Sequence, residues 1–375
     1  MSATKSSPFT EPQQRRSRIR RNGGSWNPLV DLADIHAGNR STDRRGVYDL
    51  FDAPVGVALR VEPADRSEPL LEAEPPWEAG GSMGPLFIWE TDDGFHMIYE
   101  TKSGTGYATS DDAYNWKRPD LGEVEIEGST ANNILEHGII GSTGVFIDPH
   151  APPAERFKAI GGDMAWFDPA TCEPLEEDEA LKRYDAQEYG GAGYDGPRAE
   201  IWGRMLGWTS HDGRRWLPLP EALGNRPVNG GISARWDVAT EQYICYQQIA
   251  GFEAEVLKGI GSASIEQEGS RRTIAFSCTK DFRRWPAPKE ILAPDAQDPL
   301  DIDFYGANYF PYPGRDDLHG MLVPVYHQIA STIDGQIAFS RDGLYWTRPE
   351  RRPVLPLGKE GDGDEGSAHY WRSGI

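Results

Sequence analysis

A short pattern occurs four times along the chain and limits the folds open to it. Each copy holds a strand, a Ser/Thr-x-Asp turn and a tryptophan: YATSDDAYNW (107–116), GWTSHDGRRW (207–216), AFSCTKDFRRW (275–285) and AFSRDGLYW (338–346). Asp and Ser side chains in such turns bond the backbone two residues on, and the tryptophan buries a large apolar face. Four copies are an internal repeat, so the fold is built from similar units.

The composition predicts that these units are made of strands. With 42 Gly, 29 Pro, 12 Trp and 15 Tyr and few long segments of helical period, short strands joined by turns are favoured over helices. The segment LFIWETDDGFHMIYE is a clear hairpin, because Gly94 supplies the positive φ of a tight turn between two apolar runs. The predicted strands, including the two of this hairpin, are 85–90, 95–100, 144–147, 157–161, 232–236, 242–247, 307–311, 320–326 and 336–340.

Each unit reads as a four-stranded sheet that ends in the repeated turn and a short outer strand. One such sheet cannot bury both of its faces, whereas sheets stacked radially bury one another, which is a β-propeller. The tryptophans at 116, 216, 285 and 346 mark four blades, and the remaining sequence is expected to supply a fifth. The long acidic, Gly-rich stretch 166–200 is predicted to be a loop, either a lid or an insertion without function.

Charge and cysteine usage exclude several classes of partner. The net charge of −21 argues against nucleic acid and anionic membrane surfaces, which repel an acidic protein. Residues 1–45 carry nine Lys/Arg and four Asp/Glu, so they are predicted to be a disordered basic arm before a propeller domain at 46–375. Three separated cysteines without a CxxC motif indicate neither disulfides nor zinc, and a cytoplasmic location is expected.

Longer motifs resemble a known family. The runs PWEAGG, GPLFIWETDDGFHMIYE, FIDPHAPPAERFKAIGG, ILAPDAQDPLDIDFYGANYFPY and AFSRDGLYWTRPERRPVLPLG are similar to bacterial glycosidase-like proteins of the five-bladed β-fructosidase and α-arabinofuranosidase superfamily (family 32/43-like). The resemblance covers about residues 46–370. It implies a funnel-shaped site on the propeller axis, lined by acidic residues at the starts of the innermost strands. Its motifs are specific to the fold and say little about substrate.

Two departures from the family leave alternatives open. The Asn-Asp-Pro motif that begins the first blade in fructosidases is absent, and Glu78 is nearest to its position. The sequence ends at GSAHYWRSGI, where relatives continue into further strands. Either residues 47–63 supply the missing outer strands, or the last blade is incomplete and the chain is a truncated or inactive relative.

Glycoside hydrolysis needs one protonated carboxyl and one ionised carboxylate, so acids just ahead of innermost strands are the candidate catalytic groups. Glu78 precedes the first such strand, Asp303 lies in DPLDIDFYG, and Asp364 and Glu365 lie in EGDGDEGSAHYW. Alternation places Asp301 on the same side as Asp303, where two carboxylates can shift each other's pKa. A solvated turn is the alternative in each case.

Polar and aromatic residues near these acids are the candidate substrate-binding groups. They are Trp77, Asp301, Tyr305, Asn308, His327 and Arg226. No cofactor motif is present, although a structural cation in the axial channel is an alternative role for the acids. We therefore expect a glycoside hydrolase-like enzyme that acts on a furanoside or related glycan by acid/base catalysis. The alternative is a catalytically inactive propeller that binds a glycan or a protein on its axial face.

Overall fold

A computed structural model describes most of the chain. It covers residues 59–359, with gaps at 66, 68, 75, 79–82, 140–143, 169–170, 172, 177, 181, 184–199, 225–230, 254–269 and 349, together with residues 30, 39–43, 46–50 and 365–367. The described regular structure is almost entirely β, apart from a 3₁₀ helix at Pro153–Glu155 and a helical turn at residues 178–180.

Four antiparallel sheets follow one another along the chain. The first contains β3 (Gly84–Thr91), β4 (Gly94–Thr101), β5 (Gly104–Ser110) and β6 (Trp116–Lys117). The second contains β7 (Gly144–Ile147), β8 (Phe157–Asp168), β10 (Glu200–Ser210) and β11 (Leu217–Pro218), with β9 (Glu173–Leu175) beside β8. The third contains β12 (Ser233–Asp237), β13 (Gln242–Glu253), β14 (Ser270–Thr279) and β15 (Lys289–Leu292). The fourth contains β16 (Ile302–Phe304), β17 (Asn308–Pro311), β18 (His319–His327), β19 (Thr332–Ser340) and β20 (Trp346–Thr347).

These sheets confirm the all-β prediction and the four units marked by the repeat. Every predicted strand is present, and four strands of each sheet lie in chain order from one edge to the other, with β9 and β17 pairing beside this path. The short strand β16 was not predicted, because Ile302–Phe304 is only three residues long and is preceded by acidic turn residues. Burial explains its conformation, since Ile302 and Phe304 both lie in the core shared by the third and fourth sheets.

The repeated turn has the same hydrogen bonds in the first, second and fourth sheets, and in the third sheet the Asp281 carboxylate accepts one backbone N–H group, that of Arg283. In the second sheet the Asp212 carboxylate accepts the backbone N–H groups of Arg214 and Arg215, each at 2.9 Å. The Trp216 indole N–H donates to the Gly213 carbonyl at 2.9 Å. Each of the other three repeat tryptophans donates to the carbonyl three residues earlier, at 2.7 to 3.1 Å. The turn thus fixes each tryptophan beside its sheet, as the sequence predicts.

The sheets are arranged around their first strands in a propeller-like order. Strand β7 contacts β3 and β12, and β12 in turn contacts β17. The faces between consecutive sheets hold the main apolar clusters, such as Leu86 with Val145 and Trp216 between the first and second sheets. These contacts place β3, β7, β12 and the consecutive strands β16 and β17 innermost in their sheets.

Two glycines allow the third and fourth sheets to approach closely at this axis. Gly231 has φ +57°, and a Cβ atom on it would lie 2.4 Å from the Gly306 Cα atom. The Gly231 carbonyl also accepts the Ala307 N–H at 3.0 Å. Because a side chain at residue 231 would collide with backbone, the close approach of the two innermost strands depends on glycine there.

The described residues contain four blades, and a fifth is not confirmed. The remaining strand pair, β1 (Asn39–Asp43) and β2 (Gly46–Leu50), forms a separate two-stranded sheet. This pair spans residue 45, where the sequence predicts the boundary between arm and propeller; residues 1–29 lie outside the described part of the chain. Residues 51–58 of the segment expected to add outer strands are also outside it.

The described residues between 59 and 78 instead form what we call the strap, which links the fourth sheet to the first. At one end Ala64 N–H donates to the Val354 carbonyl at 2.7 Å, and Val61 N–H donates to the Glu350 carboxylate at 2.7 Å. Residue 355 in turn pairs with Gly335 of β19. At the other end Leu71 packs on the first sheet, on the cluster formed by Met97, Tyr99 and Ala108.

Two hairpins extend beyond the innermost strands. Strands β8 and β10 remain paired to Phe167 and Glu200, past the level at which β7 begins, and β13 and β14 remain paired to Glu253 and Ser270, past the start of β12. Both extensions therefore rise at the end of the axis where the innermost strands begin. Part of the predicted 166–200 loop belongs to the first of these hairpin extensions, because β8 continues to Asp168 and β9 follows. Residues 184–199 lie outside the described part of the chain.

Candidate functional site

The start of the innermost strand of the fourth sheet gathers several of the predicted site residues. Asp301 precedes β16, and Asp303 lies within it. Both carboxylates bond the segment that follows β18: Asp303 accepts the Gln328 side-chain amide, and Asp301 accepts the Ile329 N–H at 3.4 Å. The predicted convergence of these two acids is therefore observed at one short segment.

Asp303 is fully buried, and arginines of the third sheet surround its carboxylate. The Arg272 guanidinium donates to Oδ2 at 2.9 Å, the Arg272 backbone N–H donates to Oδ1 at 3.3 Å, and Arg271 Nε lies 3.8 Å from Oδ1. Burial raises the pKa of the Asp303 carboxyl above its ordinary value, while the charges of Arg272 and Arg271 act in the opposite direction. Asp303 thus positions Arg272 and Gln328 at the start of the innermost strand of the fourth sheet, a region around Asp301, Asp303 and His327 that we call the rim.

Asp301 differs from Asp303 in its exposure to solvent. Its side chain is half-buried, and among the described residues it accepts only the long bond from Ile329 through its carboxylate. Its backbone carbonyl accepts the Gln328 N–H at 2.8 Å. The Asp301 carboxylate is therefore the acid of this pair that is accessible to a ligand.

His327 and Asp334 form a second polar pair at the same rim. His327 ends β18, and its Nε2 atom lies 2.8 Å from Asp334 Oδ2. The hydrogen bond to Asp334 raises the pKa of the His327 imidazole, against the effect of burial, and the negative charges of Asp334 and Asp301 also raise it. His327 consequently carries a proton over a wider pH range than a free imidazole.

Tyr305 and Asn308 follow β16 along the same innermost strand. The Tyr305 ring lies 5.0 Å from the centre of the Arg272 guanidinium and 5.6 Å from the Tyr326 ring. The Asn308 side-chain amide donates to the Leu322 carbonyl at 3.2 Å within its own sheet. Tyr305 is thus part of the cluster around Arg272, whereas Asn308 bonds the neighbouring strand.

Glu78 lies in a separate network on the first sheet. Its Oε1 atom accepts the Tyr99 hydroxyl at 2.5 Å and Arg118 Nε at 2.9 Å, and its Oε2 atom accepts Arg118 Nη2 at 2.7 Å and the Glu74 N–H at 2.8 Å. Glu78 is fully buried, and burial raises the pKa of the Tyr99 hydroxyl beside it. These bonds fasten the strap to the sheet, and none of them joins Glu78 to Asp303.

The other predicted site residues fall into three situations. Trp77 is half-buried beside Glu78, and its buried indole N–H has no hydrogen-bond acceptor among the described residues. Glu365 is exposed next to Gly366, whose carbonyl accepts the Ile333 N–H at 3.0 Å. Glu365 therefore lies beside β19 of the fourth sheet and not ahead of an innermost strand. Asp364 and Arg226 lie outside the described residues.

The structure therefore brings together Asp301, Asp303, Tyr305 and His327, and it places Glu78, Trp77 and Glu365 elsewhere. Sequence reasoning did not single out Arg272, Gln328 or Asp334. A signal existed for Asp334, because it is a lone acid within the otherwise uncharged strand TIDGQIAFS. Arg272 had none, because its partner lies in another sheet.

Two general features of the described residues bear on partners. No group of three or more His, Cys, Asp or Glu side chains in this part of the chain is placed to hold a metal ion. Nor does any helix there have the length and apolar character needed to cross a membrane.

Comparison with known proteins gives matches only among solved structures. No protein-family model matches the chain, and no curated protein matches it. A structure described as a glycoside hydrolase is 13% identical over 79% of this chain and 81% of that chain, with a TM-score of 0.43. An N-acetylgalactosamine deacetylase from F. plautii, solved with blood group B trisaccharide, is 13% identical over 80% of this chain and 76% of that chain, with a TM-score of 0.42.

A third match is an α-L-arabinofuranosidase from Fusarium graminearum, solved with an iminosugar inhibitor. It is 11% identical over 76% of this chain and 67% of that chain, with a TM-score of 0.37. Matches this distant carry no argument about activity, so the chemistry has to be inferred from the residues themselves.

Proposed function

We propose that the protein is a carbohydrate-active enzyme, a glycoside hydrolase that acts on a furanoside or related glycan at the rim of the fourth sheet. The observation that carries the proposal is an accessible carboxylate, Asp301, ahead of an innermost strand, close enough to the proton-holding imidazole of His327 at the end of β18 for its charge to raise the His327 pKa. Glycoside hydrolysis requires these two functions, a proton donor and an ionised acid or base.

The proposed roles follow from the protonation states. When the His327 ring is protonated, Nε2 donates to Asp334 and the Nδ1–H group is available to protonate the leaving glycosidic oxygen. As that C–O bond breaks, the Asp301 carboxylate either accepts a proton from the attacking water or attacks the sugar carbon itself. Arg272, held by Asp303, and the Tyr305 ring offer a hydrogen-bond donor and an apolar platform for the sugar.

Turnover of 4-nitrophenyl α-L-arabinofuranoside, with β-fructofuranosides and aryl pyranosides as further substrates, tests this proposal. We expect Asp301→Asn to lower kcat by about 100-fold or more while sugar binding is retained, because acid/base groups contribute on that scale. Asp316→Asn is the matched control, since Asp316 is an exposed acid on the fourth sheet with no bond of its carboxylate in the described residues. Full activity of Asp301→Asn would contradict the assigned role.

A second candidate is a binding protein without catalysis, and one observation favours it. The two carboxylates closest to the family pattern, Glu78 and Asp303, are fully buried and bonded to arginine. Sugar binding by the wild type without turnover of any furanoside or pyranoside would favour this second function over the first.

A further inference from the structure

The third sheet differs from the others at its outer edge. In the first and fourth sheets the short outer strand pairs with the last two residues of the third strand, as Trp116 does with Ser110 and Trp346 with Ser340. In the third sheet β15 pairs farther back, at residues 274–276. Consequently no outer strand pairs with Cys278 or Thr279, the corresponding residues of β14, within the described part of the chain.

A proline explains this difference. Pro286 directly follows the repeat tryptophan Trp285, at the position that Lys117 and Thr347 occupy in the outer strands of the first and fourth sheets. Proline has no N–H, so Pro286 cannot donate the main-chain hydrogen bond to β14 that a residue with an N–H could donate at this position. The outer strand starts only at Lys289, so within the described residues the outer edge of β14 has no strand partner over its last three residues, 277–279.

A cavity of about 500 Å³ occupies this uncovered edge. It is lined by Gln242, Cys278, Thr279, Lys280, Arg284, Trp285 and Pro286. Its volume lies within the range of sites that hold small molecules or short peptide segments. The Trp285 indole N–H is bonded to the Phe282 carbonyl at 2.7 Å, so this wall of the cavity is fixed.

The charged groups of the cavity have one sign. Lys280 and Arg284 are its only charged lining residues, and neither makes an ion pair within the described part of this acidic protein. The Gln242 side-chain amide likewise has no hydrogen bond among the described residues. Two such cations and an amide beside an uncovered strand edge are complementary to an extended backbone that carries carboxylates.

We propose that this cavity is a docking site for an extended, acidic peptide segment of a protein partner, which adds a short strand at Cys278–Thr279 where the other sheets have their own. Main-chain hydrogen bonds along β14 would supply affinity, and Lys280 and Arg284 would select carboxylates. The site is separate from the fourth-sheet rim and does not depend on the proposed glycosidase activity.

Cys278 provides a reporter for occupancy, since its half-buried thiol lines the cavity while Cys245 is fully buried. The probe is the peptide acetyl-Glu-Val-Glu-Val-amide, and the readout is the rate of iodoacetamide alkylation of Cys278 in the full chain, followed by peptide mass spectrometry. Burial raises the pKa of the Cys278 thiol, so the reaction is run at about pH 9 to increase the reactive thiolate.

We expect the acidic peptide to slow alkylation about threefold when its concentration is twice its Kd. The double variant Lys280→Glu/Arg284→Glu should lose this protection, whereas the control Lys102→Glu, which changes an exposed lysine of the first sheet, should keep it. The proposal is overturned if the acidic peptide gives no protection up to millimolar concentration. It is also overturned if the basic analogue acetyl-Lys-Val-Lys-Val-amide, or a tetragalacturonate, protects Cys278 equally well.

Discussion

At the scale of single residues, the protonation of His327 depends on the charged groups around it at the rim. Its pKa is raised from an ordinary value of 6.5, first by the hydrogen bond to Asp334 and further by the charges of Asp334 and Asp301. A group whose folded pKa is raised stabilises the fold below its unfolded pKa, and this contribution is lost as the pH rises through the folded pKa.

The stability of the protein should therefore depend on His327 in a defined pH window. We expect the difference in the free energy of unfolding between wild type and His327→Gln to be largest below about pH 6.5, the ordinary pKa of histidine, and to shrink as the pH rises above it. Urea denaturation at a series of pH values measures it. In the Asp334→Asn background the pH dependence should be reduced, and an unchanged dependence there would show that Asp334 is not the cause.

The sequence predicts the conformation of the repeated turns, but it does not predict which partners the buried acids bond. The Ser-x-Asp turn was predictable because its bonds are local: the Asp342 carboxylate accepts the N–H groups two and three residues on, both at 2.8 Å. Glu78 pairs with Arg118, 40 residues away, and Asp303 with Arg272, 31 residues away. Whether a buried acid is free or paired depends on such distant partners, which no local pattern reveals.

At the scale of elements, the strap is the part of the fold that the repeat does not explain. It is bonded to residues after the fourth sheet at Val61 and Ala64, and to the first sheet through Glu78. Asn133 extends the second attachment, since its side-chain amide donates to the Tyr99 hydroxyl at 2.5 Å. The strap thus holds the first and last described sheets together.

The Glu78–Arg118 ion pair should contribute much of the free energy that attaches the strap to the first sheet. We expect Glu78→Gln to lower the free energy of unfolding by about 3 kcal/mol, because it leaves a largely buried guanidinium without its closest carboxylate. The double variant Glu78→Met/Arg118→Met should recover part of the loss, since no unpaired charge remains. Urea denaturation of Glu78→Gln and of the double variant compares the two losses.

A different outcome would restore the catalytic role predicted for Glu78. If Glu78→Gln unfolds at the wild-type urea concentration but loses turnover of the furanoside substrate, then its carboxylate acts on substrate and the strap is held by other contacts. Limited proteolysis within residues 59–78 is an independent measure, and it should accelerate in Glu78→Gln.

At the scale of the whole molecule, the approach of innermost strands defines the axis. The contact between Gly231 and Gly306 brings the third and fourth sheets together beside the rim that holds Asp301. The four-blade count followed from the repeat, since each unit carries its own turn and tryptophan. The fifth blade could not be derived in this way, because no fifth copy of the pattern marks it.

The glycine contact gives a test of this close approach. Gly231→Ala should destabilise the protein by clearly more than the cost of a positive φ alone, which is about 1–2 kcal/mol, because the added Cβ meets the Gly306 backbone. Gly314→Ala is the matched control: Gly314 has φ +72°, and beyond its two chain neighbours no atom of the described residues lies within 4 Å of the position that an added Cβ would take. Thermal denaturation of both variants measures the difference, and equal losses would contradict the contact.

A crystal structure with a bound furanoside inhibitor would show whether a sugar binds where the innermost strand of the fourth sheet begins. We expect a central opening between the sheets, with the sugar within hydrogen-bond distance of the Asp301 carboxylate and the His327 ring. A sugar bound at Glu78, or sheets packed as a sandwich without a central opening, would contradict it.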